Sequence, residues 1–221
     1  MKYKVFLPGL FLVSTGLLFF SCSKEKIAGS GNVISETRNA QNFYSVSASG
    51  SANVIITYGN AYSVSVKGFE NILPKLQTYV ENGVLIIKYS DNTSISNDNS
   101  EVDITMPSLV GVSNQGASQI SITGNFIGMD NLTVSNSGPG NIVFSNGSTT
   151  NLALNLSGSG DVLLFGLSSQ NAIVKNSGGG NAEVSVSKSL KVTISGSGNV
   201  FYKGNPAVDS SGTGTGQVIQ K

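Results

Sequence analysis

The chain has 221 residues, enough for one sizeable domain or two small ones, with 13 basic and 12 acidic side chains. Arg38 is the single arginine and no Lys/Arg cluster exists, which excludes the phosphate-neutralising surface that nucleic-acid binding needs. With no histidine and one cysteine, His-based acid–base chemistry, Ser-His-Asp and Cys-His nucleophiles, and His/Cys zinc sites are excluded as well.

Lys2 and Lys4 form a positive start, and Val5 to Phe20 is a nearly unbroken apolar run. The run is short for a bilayer span of ~20 residues, so residues 1–21 read as a secretory signal. "FFSCSK" ends it at Ser21 and Cys22. This arrangement resembles the bacterial lipobox, with Phe19 where leucine is usual, and predicts lipidation of Cys22 and a membrane anchor. Residues 22–30 then read as a lipidated tether, and no cysteine remains for a disulfide.

Residues 31–107 form a less regular β half. "YSVSASGSANVIITYG" and "AYSVSVKGF" predict paired strands, and "GVLIIKYS" and "SEVDITMPS" predict two more. "FENILPKLQTYVENG" (69–83) is the one stretch suited to a helical turn, kept short by Pro74. "SDNTSISNDNS" (90–100) reads as a mobile polar loop. Glu101 and Asp103 lie two apart in a strand and share a face, either as a solvated surface or as the carboxylate pair of a polysaccharide-active enzyme. A soft boundary falls near Met106–Pro107, inside one continuous domain.

Residues 108–221 are a repeat. "NQGASQISI", "NSGPGNIVF", "LSGSGDVLLF", "NSGGGNAEV" and "ISGSGNVFY" write one motif five times, and "SSGTGTGQVI" is a looser sixth copy. The polar residue after the glycines is Gln119, Asn141, Asp161, Asn181 and Asn199, at steps of 22, 20, 20 and 18 residues. On both sides of each glycine pair apolar residues alternate, as in Leu132/Val134 before and Ile142/Phe144 after. Such strands cannot bury an apolar face alone, but stacked units can form one core with parallel ladders. The expected fold is therefore all-β, a right-handed β-helix or β-solenoid with short strands, Gly-rich corners and roughly 18–22 residues per coil. Pro206 is expected to close the last full coil.

The corners are assigned to Gly138, Gly140, Asn141, Gly158, Gly160, Asp161, Gly178, Gly180, Asn181, Gly196, Gly198 and Asn199. Their glycines are expected to take a tight or positive-φ turn, and Asn199 to bond its own backbone. Asn114, Asn136 and Asn176 fall at the inward phase before the corner, where Leu156 and Ile194 stand in other units. A buried amide must be paired, so Asn114 and Asn136 predict a short internal amide ladder and Asn176 a bond to corner backbone.

No cofactor is implied. "GSGNVF" lacks the third glycine and the helix of a dinucleotide site, and no Gly-Lys-Ser/Thr loop occurs. A calcium β-roll would need an aspartate in every unit, and only Asp161 supplies one, so no metal is expected. Phe165, Phe201, Tyr58, Tyr62, Tyr79 and Tyr89 are aromatics suited either to contacts between coils or to stacking on a sugar or peptide.

The order "GSGNV", "YSVSASGSANVIITYG", "ENGVLIIKY", "VDITMPSLVGVSNQGAS", repeated "SGSG[ND]" corners and "VFYKGNPAVDSSGTG" resembles the GIN-domain family of auto-transporter-type adhesin heads in Bacteroidetes-type lipoproteins. The resemblance spans Gly29 to Lys221 and implies a right-handed β-helical fold and a cell-envelope location. It carries over no catalytic residue. The expectation is an outer-membrane lipoprotein, facing the periplasm or the cell surface, that acts by binding a protein or glycan ligand without catalysis. A carboxylate-dependent polysaccharide enzyme and a structural or envelope-stress lipoprotein are the alternatives. The open ends of a solenoid leave room for oligomers.

Overall fold

The computed structural model of the protein describes Met1 and residues 24–221. The signal and the lipidation expected at Cys22 lie outside the described residues. The first half runs through β1 (Glu25–Ala28), β2 (Val33–Arg38), β3 (Ser45–Ser49), β4 (Asn53–Tyr58) and β5 (Ser63–Phe69). A 3-10 turn at Leu73–Lys75, with Pro74 inside it, leads to β6 (Leu76–Glu81), β7 (Val84–Tyr89), β8 (Thr93–Ser96) and β9 (Glu101–Met106). The repeat half holds β10 (Gly111–Asn114), β11 (Ile120–Thr123), β12 (Phe126–Asn136), β13 (Ile142–Phe144) and β14 (Gly147–Leu156). It continues with β15 (Val162–Asn176), β16 (Ala182–Ile194), β17 (Val200–Lys203), β18 (Ala207–Ser211) and β19 (Val218–Gln220).

The described residues are all-β with almost no helix. A 17-stranded sheet wraps, nearly closed and barrel-like, around one buried cluster that extends from Ala40 to Val200. Period-two patterning produces this directly. In β9, Val102, Ile104 and Met106 are buried while Glu101, Asp103 and Thr105 are not. β-branched residues suit such a pleated, half-buried surface.

Most pairing is parallel and joins segments about one repeat apart. A first ladder runs β7, β3, β10, β12, β14, β15, β16, β18, and stacks Leu85, Val46, Val112, Val134, Leu154, Val174 and Val192 in one apolar column. A second runs β9, β4, β11, β13, β15, β16, β17, β19, and stacks Val102, Val54, Ile120, Ile142, Val162, Ala182 and Val200. A third, shorter ladder uses the early residues of β12 and β14, the middle of β15 and Ser185–Val186 of β16.

The less regular half is part of the same stack, because β3 pairs with β10 and β4 with β11. Met106–Pro107 is therefore no seam. Antiparallel strands close this end: β5 on β9, β2 on β5, and β6 on β7. The β6–β7 turn is Asn82–Gly83, with φ of 50° and 75°, as a two-residue hairpin loop requires.

Two expectations need correction. Residues 90–100 are not simply a loop, since they contain β8, which pairs in parallel with β1 in a separate two-stranded sheet. The tether is correspondingly shorter, because β1 occupies Glu25–Ala28. Asn71 and Asn97 amides bond the carbonyls of Ala28 and Gly29, and Lys75 pairs with Glu25 at 2.9 Å. Beyond Pro206 the looser sixth copy adds a layer, in which β18 pairs with β16 and β19 with β17 and no β18 residue is buried.

Candidate ligand-binding groove

The repeated corners are packing devices, and of the tight or positive-φ turn expected of their glycines the positive-φ form does not occur. None of Gly138, Gly140, Gly158, Gly160, Gly178, Gly180, Gly196 or Gly198 has a positive φ. Glycine is required instead by distance. A Cβ on Gly138 would be driven into the Gly116 carbonyl, one on Gly158 into that of Gly138, and one on Gly178 into that of Gly158. The corner backbones lie on one another in a column, and any side chain there would force the layers apart.

The amides divide into two sets. Asn114, Asn136 and Asn176 are buried, but Asn114 and Asn136 do not bond to each other. Each closes its own corner, accepting at Oδ1 from the N–H two residues on and donating through Nδ2 to the carbonyl four residues on. Asn136 and Asn176 also donate to Gly160 and Gly198 in the next layer, each at 3.1 Å. Local backbone satisfies both ends of the amide, so no amide is left for an internal ladder.

The ladder lies after the corner. Oδ1 of Asn141 accepts from the N–H of Asp161, Asp161 from Asn181, Asn181 from Asn199, and Asn199 from Gln217, at 2.7–3.0 Å. Asn199 thus bonds the next layer rather than its own backbone. A second side-chain ladder, which the sequence carries at steps of 20, 20 and 18, joins Asn131, Asn151, Asn171 and Ser189 on the surface. Its even spacing was the signal for it.

Glu101 and Asp103 pair in register with Asn53 and Ile55 on one side and with Lys67 and Ser65 on the other. Glu101 is half-buried and Asp103 exposed on the outer face of β9. Among the described residues no cluster of three or more His, Cys, Asp or Glu is placed to hold a metal ion. No helix among them is long and apolar enough to cross a membrane.

One polar cluster marks the base of the corner column. Tyr89 and Ser51 both donate to Asp98 Oδ2, at 2.5 and 2.6 Å, and the N–H of Ser100 donates to Asp98 Oδ1 at 2.9 Å. The Tyr89 ring lies under Gly50, the lowest glycine of the column. Burial, and then the bond to Asp98, push the Tyr89 phenol well above its ordinary value of 10.

One concave surface that the repeat creates is on the third ladder. Between β15 and β16 the register slips twice, after Leu164 and after Ser169, because the unit there is shortened to 18 residues. Such irregularities bend a strand away from its neighbour. The result is a groove of about 320 Å³ whose lining includes Ser148, Thr150, Ser168, Gln170, Ser187 and Lys203. Ser148 Oγ accepts from the Gly128 N–H, and Ser187 Oγ donates to the Ser169 carbonyl. Lys203 Nζ stands 4.2 Å from the centre of the Phe165 ring, and Lys221 lies similarly over Phe201. Periodicity alone could not single out these side chains; the drop of the step from 20 to 18 residues was the available signal.

A nearly closed β sheet on one core, with backbone-stacked corners and a polar groove where the step between units drops from 20 to 18 residues, defines a repetitive scaffold that presents a surface. Residues 42–206 match the family described as "Putative auto-transporter adhesin, head GIN domain", and the chain belongs to that family. Its fold is shared with a "putative adhesin" from Bacteroides fragilis NCTC 9343, with a TM-score of 0.75 and 20% identity over 88% of this chain and 100% of that one. A "putative adhesin" from Parabacteroides merdae ATCC 43184 matches with a TM-score of 0.58 and 19% identity, over 89% and 99% of the two chains. A "putative lipid binding protein" from Parabacteroides distasonis ATCC 8503 matches with a TM-score of 0.55 and 22% identity, over 89% and 100%. No curated protein matches the chain in sequence.

Proposed function

We propose that the protein is a non-catalytic binding module of the cell envelope, an adhesin in the sense of its family, and that the third-ladder groove contacts its ligand. On this reading the ladders are successive coils of a right-handed β-helix, and the chain is held to the outer membrane through a lipid on Cys22. The observation that carries the proposal is the groove itself. It lies where the repeat departs from its own register, and Thr150, Ser168 and Gln170 point no hydrogen bond at the protein among the described residues. A purely structural wall has no use for such a break.

With β1 starting at Glu25, only Ser23 and Lys24 separate Cys22 from folded chain. Three residues span at most about 10 Å, so the antiparallel end would sit against the membrane. The groove lies four to six layers beyond β7 and β9, roughly 20–30 Å away at ~4.8 Å per paired strand.

The test uses the full chain with two substitutions. Cys22→Ala is expected to release the protein into the soluble fraction, and Ser168→Trp to fill the groove and abolish capture of isolated envelope material without lowering Tm. Undiminished capture by a folded Ser168→Trp protein would place the binding surface elsewhere.

A further inference from the structure

The groove has a chemical bias as well as a shape. Lys203 is the only charged side chain in its lining, and no carboxylate lines it. Among the described residues Lys203 forms no ion pair; its ammonium is held over Phe165 instead. The free groups beside it are hydroxyls and one carboxamide, each of which donates and accepts hydrogen bonds. Sugar hydroxyls have the same dual character. A phosphate or sulfate is usually gathered by several cations or by a helix N-terminus, whereas this groove offers one ammonium on an all-β scaffold. A single cation beside a row of hydroxyls suits a monoanion carried on a polyol.

We infer that the groove takes a carboxylated saccharide of the uronate type, with the Lys203 ammonium meeting the carboxylate and Thr150, Ser168 and Gln170 meeting ring hydroxyls. This rests on the groove being the ligand site. Strand spacing of ~4.8 Å across β14, β15 and β16 gives the groove the reach of about two sugar rings. Phe165 holds the ammonium of this lining residue, and among the described residues no protein carboxylate pairs with it.

Binding of the purified full chain to oligogalacturonate, to its neutral methyl ester and to anionic phosphatidylglycerol vesicles tests this. The acid form is expected to bind at least roughly 10-fold more tightly than the ester, as a charge-assisted contact implies. Lys203→Gln is expected to bring the acid down to the ester's affinity with Tm unchanged, and added salt to weaken only the acid. Equal affinity for acid and ester, or a Lys203→Gln protein that keeps the preference, overturns the inference. Lys203-dependent capture of vesicles without oligogalacturonate binding overturns it in favour of a lipid headgroup. Ester binding that is lost in Ser168→Trp would leave the groove in place and remove only the acidic sugar. No saccharide binding, with envelope capture indifferent to Ser168→Trp, would remove both.

Discussion

At the scale of single residues, the repeated glycines invite a nucleotide or metal reading, and the structure replaces it with a steric one. The sequence makes their positions plain but not their reason, because one chain cannot show how closely its own units will approach. Ordinary φ values together with backbone-on-backbone contact identify the cause as distance. Gly158→Ala is accordingly expected to cost about 1–3 kcal/mol, as overpacking in a rigid interior does. Gly179, between two column glycines, has only Ser197 Oγ near its missing Cβ, at 3.7 Å, so Gly179→Ala should be close to neutral. Denaturant unfolding of the two variants checks the pair. Equal effects would mean that the column imposes no special packing demand. The inward asparagines follow the same logic: their burial is legible from phase, while their partners depend on corner backbone that folds around each amide.

At the scale of elements, the regular strands are legible because alternation and repeat length act together. The irregular elements are harder to read. β8 lies in a segment of Ser, Asn and Asp, with only Ile95 as an apolar residue, and exists because β1 supplies its partner. The sequence of either segment alone carries little strand signal. The β6–β7 hairpin is the opposite case, since Asn82–Gly83 is a local turn signal that needs no partner. Below the corner column, Asp98 ties Tyr89 and Ser51 together and holds the end of the 90–100 segment to the first corner. Folding raises the Tyr89 pKa above its unfolded value of about 10, so the neutral phenol is the favoured folded form. The stability this represents is complete below pH 10 and lost as pH rises from 10 through the folded value. Spectroscopic titration should show one phenol ionising above pH 10 that vanishes in Tyr89→Phe. Loss of the late phenol should coincide with a flatter alkaline stability curve. A Tyr89 that ionises near 10 in the folded protein would contradict the burial and bonding described.

At the scale of the whole molecule, the two ends and the side of the stack have different tasks. Antiparallel strands and the β1–β8 sheet close the end near the chain start, while β18 and β19 taper the other with exposed residues. Apolar columns Val46 to Val192 and Val54 to Val200 hold the layers in register between them. The change of step from 20 to 18 residues interrupts that register on the third ladder, where among the described residues Thr150, Ser168 and Gln170 make no hydrogen bond to protein. On the proposed reading this groove is where the ligand sits. Hydrogen exchange of the full chain, with and without saturating isolated envelope glycan, tests it most directly. Added protection confined to residues 148–150, 168–170, 185–187 and 203–204 is the predicted result. Protection at the glycine corners or along β18 and β19, with the third ladder unchanged, would contradict it.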